Sequence, residues 1–231
     1  MVDMLVSLII PSVILMQLSG EDELGASRAL ITALAFPIGW GLFELFKYRK
    51  INYIAILGLI SVLLTGGIAL MQLDLKWLAI KEAAIPALIG IAVLISTRTR
   101  YPLIRTLLYN PNVLNVNKIQ QRLENNDVSQ LFETRLQHAT YWLSSTFLFS
   151  AIMNYALAKW IVTSPTGSTA FNEELGQMTL LSYPVIAIPS TIMTMAIFYF
   201  LWKTIHNLTG LELEEIIHTN KSDDKQHNTT G

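Results

Sequence analysis

Cysteine is absent from the 231 residues. Disulfides, thiolate metal sites and cysteine nucleophiles are thereby excluded, and the redox compartment is left undecided. Charge is scarce as well. Asp, Glu, Lys and Arg make up 14% of the chain, where a soluble domain carries about 25%. A basic excess is also missing, since the net charge is −1, and nucleic acid is not an expected partner. His138, His206, His218 and His227 are scattered, without H-x-x-x-H or H-E-x-x-H spacing, so no metal site is expected. GxGxxG, Walker A and GxSxG motifs are lacking, and with them the usual signs of nucleotide or acyl-transfer chemistry. The expectation is of no cofactor and no enzymatic activity.

What the chain has instead is apolar length. It is 52% hydrophobic, with a mean hydropathy of +0.44. A bilayer accepts such surface without cost, and about 20 mostly apolar residues cross its roughly 30 Å of hydrocarbon. Windows that meet this length run from about Val2 to Leu18, Ala29 to Phe46, Tyr53 to Leu73, Trp77 to Thr97, Ala139 to Val162 and Leu180 to Trp202. The sequence therefore predicts an all-α integral membrane bundle of six transmembrane helices, with the lipid bilayer as its solvent. The first window is read as an uncleaved span. Asp3 stands where a signal peptide has basic residues, and no A-x-A-like site precedes Glu21, Asp22 and Glu23. Pro11, Pro37, Pro86, Pro184 and Pro189 predict kinks, which lipid tolerates where neighbouring groups satisfy the freed carbonyls.

Orientation follows from the basic residues between spans. Lys47, Arg49, Lys50, Arg98, Arg100, Arg105, Lys118, Arg122, Arg135, Lys203, Lys221 and Lys225 fall on one side of a six-span arrangement. Arg28, Lys76 and Lys159 fall on the other, and Lys81 lies within span four. Both termini and both basic loops are accordingly expected in the cytoplasm. Trp77, Trp142, Trp160, Trp202, Tyr48, Tyr53 and Tyr101 lie near span ends, at headgroup depth. Trp40 does not.

Residues 1–203 are thus assigned to a six-span domain, which includes a cytoplasmic connecting helix over 110–138. Asp127 is the expected N-cap within that segment. Thr209-Gly210-Leu211-Glu212 reads as a capping box opening a short cytoplasmic helix within 204–218. The polar stretch 219–231 reads as a disordered tail. Met16-Gln17-Leu18 recurs as Met71-Gln72-Leu73, each ahead of a proline-bearing helix, a faint sign of repeated hairpins.

Candidate chemistry centres on Lys81 and Glu82, one turn inside span four. A charge at the bilayer centre costs roughly 2.5–3.5 kcal/mol. The two residues either form an ion or substrate site facing the bundle, or fix packing through a snorkelling lysine and a paired carboxylate. Neighbouring helical side chains point about 100° apart, so the pair is not expected to share one partner. Thr65, before Gly66 and Gly67, offers a hydroxyl where helices approach closely. Ser144, Ser145, Thr146, Ser150 and Asn154 form a polar stripe in span five, with Ser150 and Asn154 on one face. The stripe either lines a polar pathway or bonds between helices. Glu44 with Lys47 is read as an interfacial ion pair, and Ser164–Glu174 as the longest outer loop.

Several stretches resemble a bacterial inner-membrane family placed near intracellular septation protein A and frequently labelled an MFS-like transporter. They are Ala35-Phe36-Pro37 through Glu44, Leu64-Thr65-Gly66-Gly67, and Leu78 through Pro86 with Lys81 and Glu82. Ser164-Pro165, Phe171 through Gly176, Ser182 through Ile186, and Leu208 through Glu212 follow. The resemblance implies a multi-pass protein of the bacterial inner membrane. Together with the intramembrane polar residues it points to a small-solute permease, acting as a possible homo-oligomer. The alternative is a non-transporting envelope or septation scaffold whose partner is another envelope protein.

Overall fold

A computed structural model describes residues 5–48, 53–99, 103, 105, 109 and 114–217, with side chains for all of these except 44–48 and 53–59. The Glu44–Lys47 pair, Arg49, Lys50, Arg100, His218 and the tail 219–231 lie outside the described residues. No strand forms among the described residues, apart from an isolated antiparallel bridge between Leu114 and Ile217. The fold is all-α.

A wide π-type turn, Leu5–Ile9, leads into α1, Ile10–Gln17. Then come α2, Ala26–Tyr48, α3, Tyr53–Leu70, and α4, Leu75–Ser96. Next are α5, Val116–Asn125, α6, Ser129–Ile161, and α7, Thr169–Ser182. A second π-type turn, Tyr183–Ala187, joins α7 to α8, Ile188–Thr209, and α9 is the single turn Leu213–Ile216.

Three helical stretches are long and apolar enough to cross a membrane: Ala26–Phe43, Leu75–Ser96 and Thr169–Thr209. Only 17%, 28% and 17% of the respective windows are buried inside the protein. Large apolar side chains are exposed in consequence, among them Ile31, Leu88, Ile95, Ile192 and Met195. Water penalises such a surface. Lipid does not. Leu5–Gln17 and Ile60–Leu70 are shorter apolar helices.

Several local expectations are corrected. The connecting segment divides: its first part forms α5, while its second part is continuous with the fifth span, because α6 runs unbroken for 33 residues. No Gly or Pro interrupts Ser129–Ile161, so nothing in the backbone stops it where polarity changes. Asp127 does not cap it; it turns the chain at φ 55° two residues earlier. The outer loop is shorter than Ser164–Glu174, because Ser168 accepts from the Phe171 N–H at 3.1 Å and starts α7. The N-cap of α9 is Glu212, not Thr209. The Glu215 carboxylate reaches back to the Glu212 N–H at 3.0 Å, while the Thr209 hydroxyl returns to the Ile205 carbonyl.

Two compact units divide the chain: Met1–Ala87 with Phe149–Pro189, and Leu88–Leu148 with Ser190–Gly231. In the first, Leu15, Leu30, Ala33, Leu78, Ala79, Ala158, Phe171 and Leu175 form the core. Helices α1 and α7 cross closely there. A Cβ on Gly176 would meet Met16 Cγ at 2.8 Å and the Ser12 carbonyl at 2.9 Å, and only glycine fits. The second unit packs around Ile119, Leu123, Phe132, Leu136, Ile197, Ile205 and Leu211.

Candidate functional site

The first unit contains a cavity of about 220 Å³. Its lining is mixed, with apolar side chains such as Leu15, Leu34, Leu157 and Met178 alternating with polar ones. Lys81 and Glu82 enter it from α4, Ser61 and Thr65 from α3, and Asn154 from α6. Ser7 and Ser12 border it at the chain start, as do Thr179 and Ser182 near the end of α7.

At its centre Lys81 Nζ donates to Glu82 Oε1 at 2.6 Å and to Thr65 Oγ1 at 2.7 Å. A longer contact of 3.5 Å reaches the Ser61 carbonyl. The Lys81 side chain is 9% exposed and that of Glu82 21%. Their Cα–Cβ vectors diverge by about 100°, yet the two charged ends bond each other, and Lys81 also reaches Thr65. A lysine stem of four carbons is long enough to fold back to its neighbour, and both charged ends meet in one cavity. Burial favours that outcome, because an unpaired charge in apolar surroundings costs several kcal/mol.

Prolines shape the same space. Proline has no N–H, so the carbonyl four residues earlier in a helix loses its usual donor. Pro11, Pro37 and Pro86 stand four residues after Ser7, Ala33 and Glu82, and all three of those residues line the cavity. Proline thus removes the i+4 N–H donor at three places along the cavity lining. The offset between each proline and its cavity residue was available from sequence, and it is the signal that would have found Ser7 and Ala33.

Of the expected site residues, Lys81, Glu82, Thr65 and Asn154 are brought together around the cavity. Ser150 is not part of the lining; its carbonyl accepts from Asn154 Nδ2 at 2.8 Å. The polar stripe of α6 breaks up accordingly. Ser145 and Thr146 return to carbonyls of their own helix, and Ser144 donates to the Gly90 carbonyl at 2.8 Å within the second unit. Sequence reasoning missed Asn172, which is buried and donates both to Ser19 Oγ, at 3.0 Å, and to the Ala26 carbonyl, at 2.7 Å. Nearby, the Glu174 carboxylate accepts from the Thr163 and Ser164 N–H groups, each at 2.8 Å. These bonds hold the α6–α7 turn on the end of the first unit.

Among the described residues no group of three or more His, Cys, Asp or Glu side chains is placed to hold a metal ion. No family model, curated protein or solved structure matches the chain. The arrangement can bind. A largely buried ammonium and a partly exposed carboxylate, flanked by hydroxyls and an amide, offer both donors and acceptors to a small polar guest.

Proposed function

We propose that the chain is a multi-pass permease of the bacterial inner membrane, moving a small polar solute through the first unit. What carries the proposal is a charged pair with polar neighbours inside a cavity, set in a helical unit whose outer surface is apolar. Ionisable groups at membrane depth are expensive and mark solute or ion paths, and helix-breaking prolines beside them are the backbone feature transporters use at binding sites.

The proposed topology has six spans and both termini in the cytoplasm, as the bias of twelve basic residues against three implies. The three long apolar stretches supply three crossings. Helix α3 is 18 residues, about 27 Å at 1.5 Å per residue, and nearly spans the hydrocarbon. Helix α6 exceeds it, and α1 with its preceding turn inserts by virtue of its apolar contacts.

Purified protein in proteoliposomes, assayed for electrogenic or pH-linked uptake of amino acids, sugars and organic acids, tests the proposal. Flux of one class by the native chain, abolished by Glu82→Gln at equal protein level, is the expected result. Flux unchanged by Glu82→Gln would remove the site. Reporter fusions placing Arg98–Arg135 outside the cell would remove the topology.

A further inference from the structure

We propose that Glu82, Thr65 and Ser61 form a monovalent-cation site, which the Lys81 ammonium fills as a tethered cation. The geometry points there directly. Nζ is surrounded by a carboxylate, a hydroxyl and a carbonyl oxygen, at 2.6, 2.7 and 3.5 Å. That is the donor set hard cations select. Its charge also fits a single positive ion. Among the described residues Glu82 is the one acidic side chain lining the cavity, so one monovalent cation neutralises it, whereas a divalent ion would leave excess charge in apolar surroundings.

The surroundings extend the same chemistry. Ser7, Ser12 and Thr179 add hydroxyls to the same lining, groups that can hold the water of a hydrated ion. The cavity of about 220 Å³ leaves room for an ion with several waters once the lysine head is withdrawn. Lysine suits a removable occupant, being a point charge on a flexible stem without the fixed fork of arginine. The inference rests on the permease reading, for which it supplies the coupling step: an external monovalent cation, or a substrate ammonium, exchanges with Lys81 for the same oxygens.

Binding is testable without flux. Full-length protein in detergent is melted in sodium, potassium or choline chloride at equal ionic strength, as the native chain, as Lys81→Ala, and as Lys81→Ala with Glu82→Gln. The native chain should melt alike in all three salts, because its site is already filled. Lys81→Ala should melt on the order of 5 °C higher in sodium or potassium than in choline, with a saturating dependence on the ion. The double variant should lose the response, having no carboxylate to neutralise. Equal melting of Lys81→Ala in the three salts overturns the proposal, as does an equal response of the double variant. Aggregation of Lys81→Ala in every salt overturns it too, because a cation that refills the site would rescue folding. A rescued Lys81→Ala alongside a native protein with no flux would sink the permease reading and leave the cation site standing.

Discussion

In the first unit, polar side chains reach from one helix to another. Lys81 on α4 bonds Thr65 on α3, and Asn172 on α7 bonds Ser19 and the Ala26 carbonyl. In the second unit, buried Thr140, Thr146 and Thr209 return to carbonyls of their own helices, and the ion pairs Arg105–Glu133 and Lys118–Glu215 sit at least 39% exposed. The difference has a physical meaning. A hydroxyl bonded to its own helix is satisfied wherever that helix goes, so it says little about neighbours. A lysine or asparagine bonded across helices is satisfied in one arrangement only, and every other arrangement leaves a buried polar group unpaired. The first unit therefore holds charge around a cavity, whereas a buried cross-helix bond of the second unit, from Ser144 to the Gly90 carbonyl, joins neutral groups.

The sharpest way to break that comparison is to remove one carboxylate from each unit. Glu82→Leu strands the buried Lys81 ammonium and should cost about 2–4 kcal/mol in denaturant melts. Glu133→Leu removes the partner of an exposed arginine and should cost less than about 1 kcal/mol. Similar losses for the two would mean that the Lys81–Glu82 pair is solvated, and the contrast between the units would fall.

Next in size is the crossing of α1 and α7. Gly176→Val places a methyl-bearing carbon against Met16 Cγ and the Ser12 carbonyl and should destabilise by about 1–3 kcal/mol. Gly39→Ala, where a Cβ meets nothing within 4 Å, should be neutral or raise stability by roughly 0.5 kcal/mol, through its gain in helix propensity. Thermal melts in one detergent compare them. A neutral Gly176→Val would show that α1 is not seated on α7.

Smaller still is the loss of one cross-helix amide. Asn172→Ala deprives the Ala26 carbonyl of its side-chain donor and should cost about 1–2 kcal/mol. Thr140→Val, which removes a hydroxyl bonded only within its own helix, should change stability by less than about 0.5 kcal/mol. Equal effects would mean that local and cross-helix bonds specify the fold alike.

The division between the units also marks what sequence could disclose. Apolar length and scarce charge led to an all-helical chain with membrane-crossing stretches, because lipid imposes helices on any segment it surrounds. Lys81, Glu82, Thr65 and Asn154 stood out for the same reason, as polar residues in apolar windows. Their meeting point did not. Whether Lys81 folds back on Glu82 is decided by what α3 presents at Thr65, and that is a property of packing between segments 16 residues apart. Asn172 was hidden because it sits in a polar stretch, where an asparagine attracts no notice until burial reveals its partners. Helix ends were misplaced where one residue was given a cap role that its neighbour performs, as with Thr209 and Glu212. The continuous α6 was split because polarity changed along it while the backbone had no cause to stop.

The mildest test lies in the second unit, where the pairs are exposed and pH reaches them. The Lys118 ammonium, 2.9 Å from Glu215, and the Glu212 N–H hold the Glu215 carboxyl below its ordinary value of 4.5. A carboxyl with a depressed folded value binds its proton more weakly when folded than when unfolded. Its stabilising contribution is therefore fully present above about pH 4.5 and is lost as pH falls through the lower folded value. What should loosen is local: α9, the Asn115 N–H bond to the Ile216 carbonyl at 2.8 Å, and the Leu114–Ile217 bridge. Amide exchange at Asn115 should speed up, relative to Ile119 in the core of α5, as pH is lowered from about 5 towards 3 and after correction for intrinsic rates. Glu215→Gln should show the faster exchange already at pH 6 and little further change.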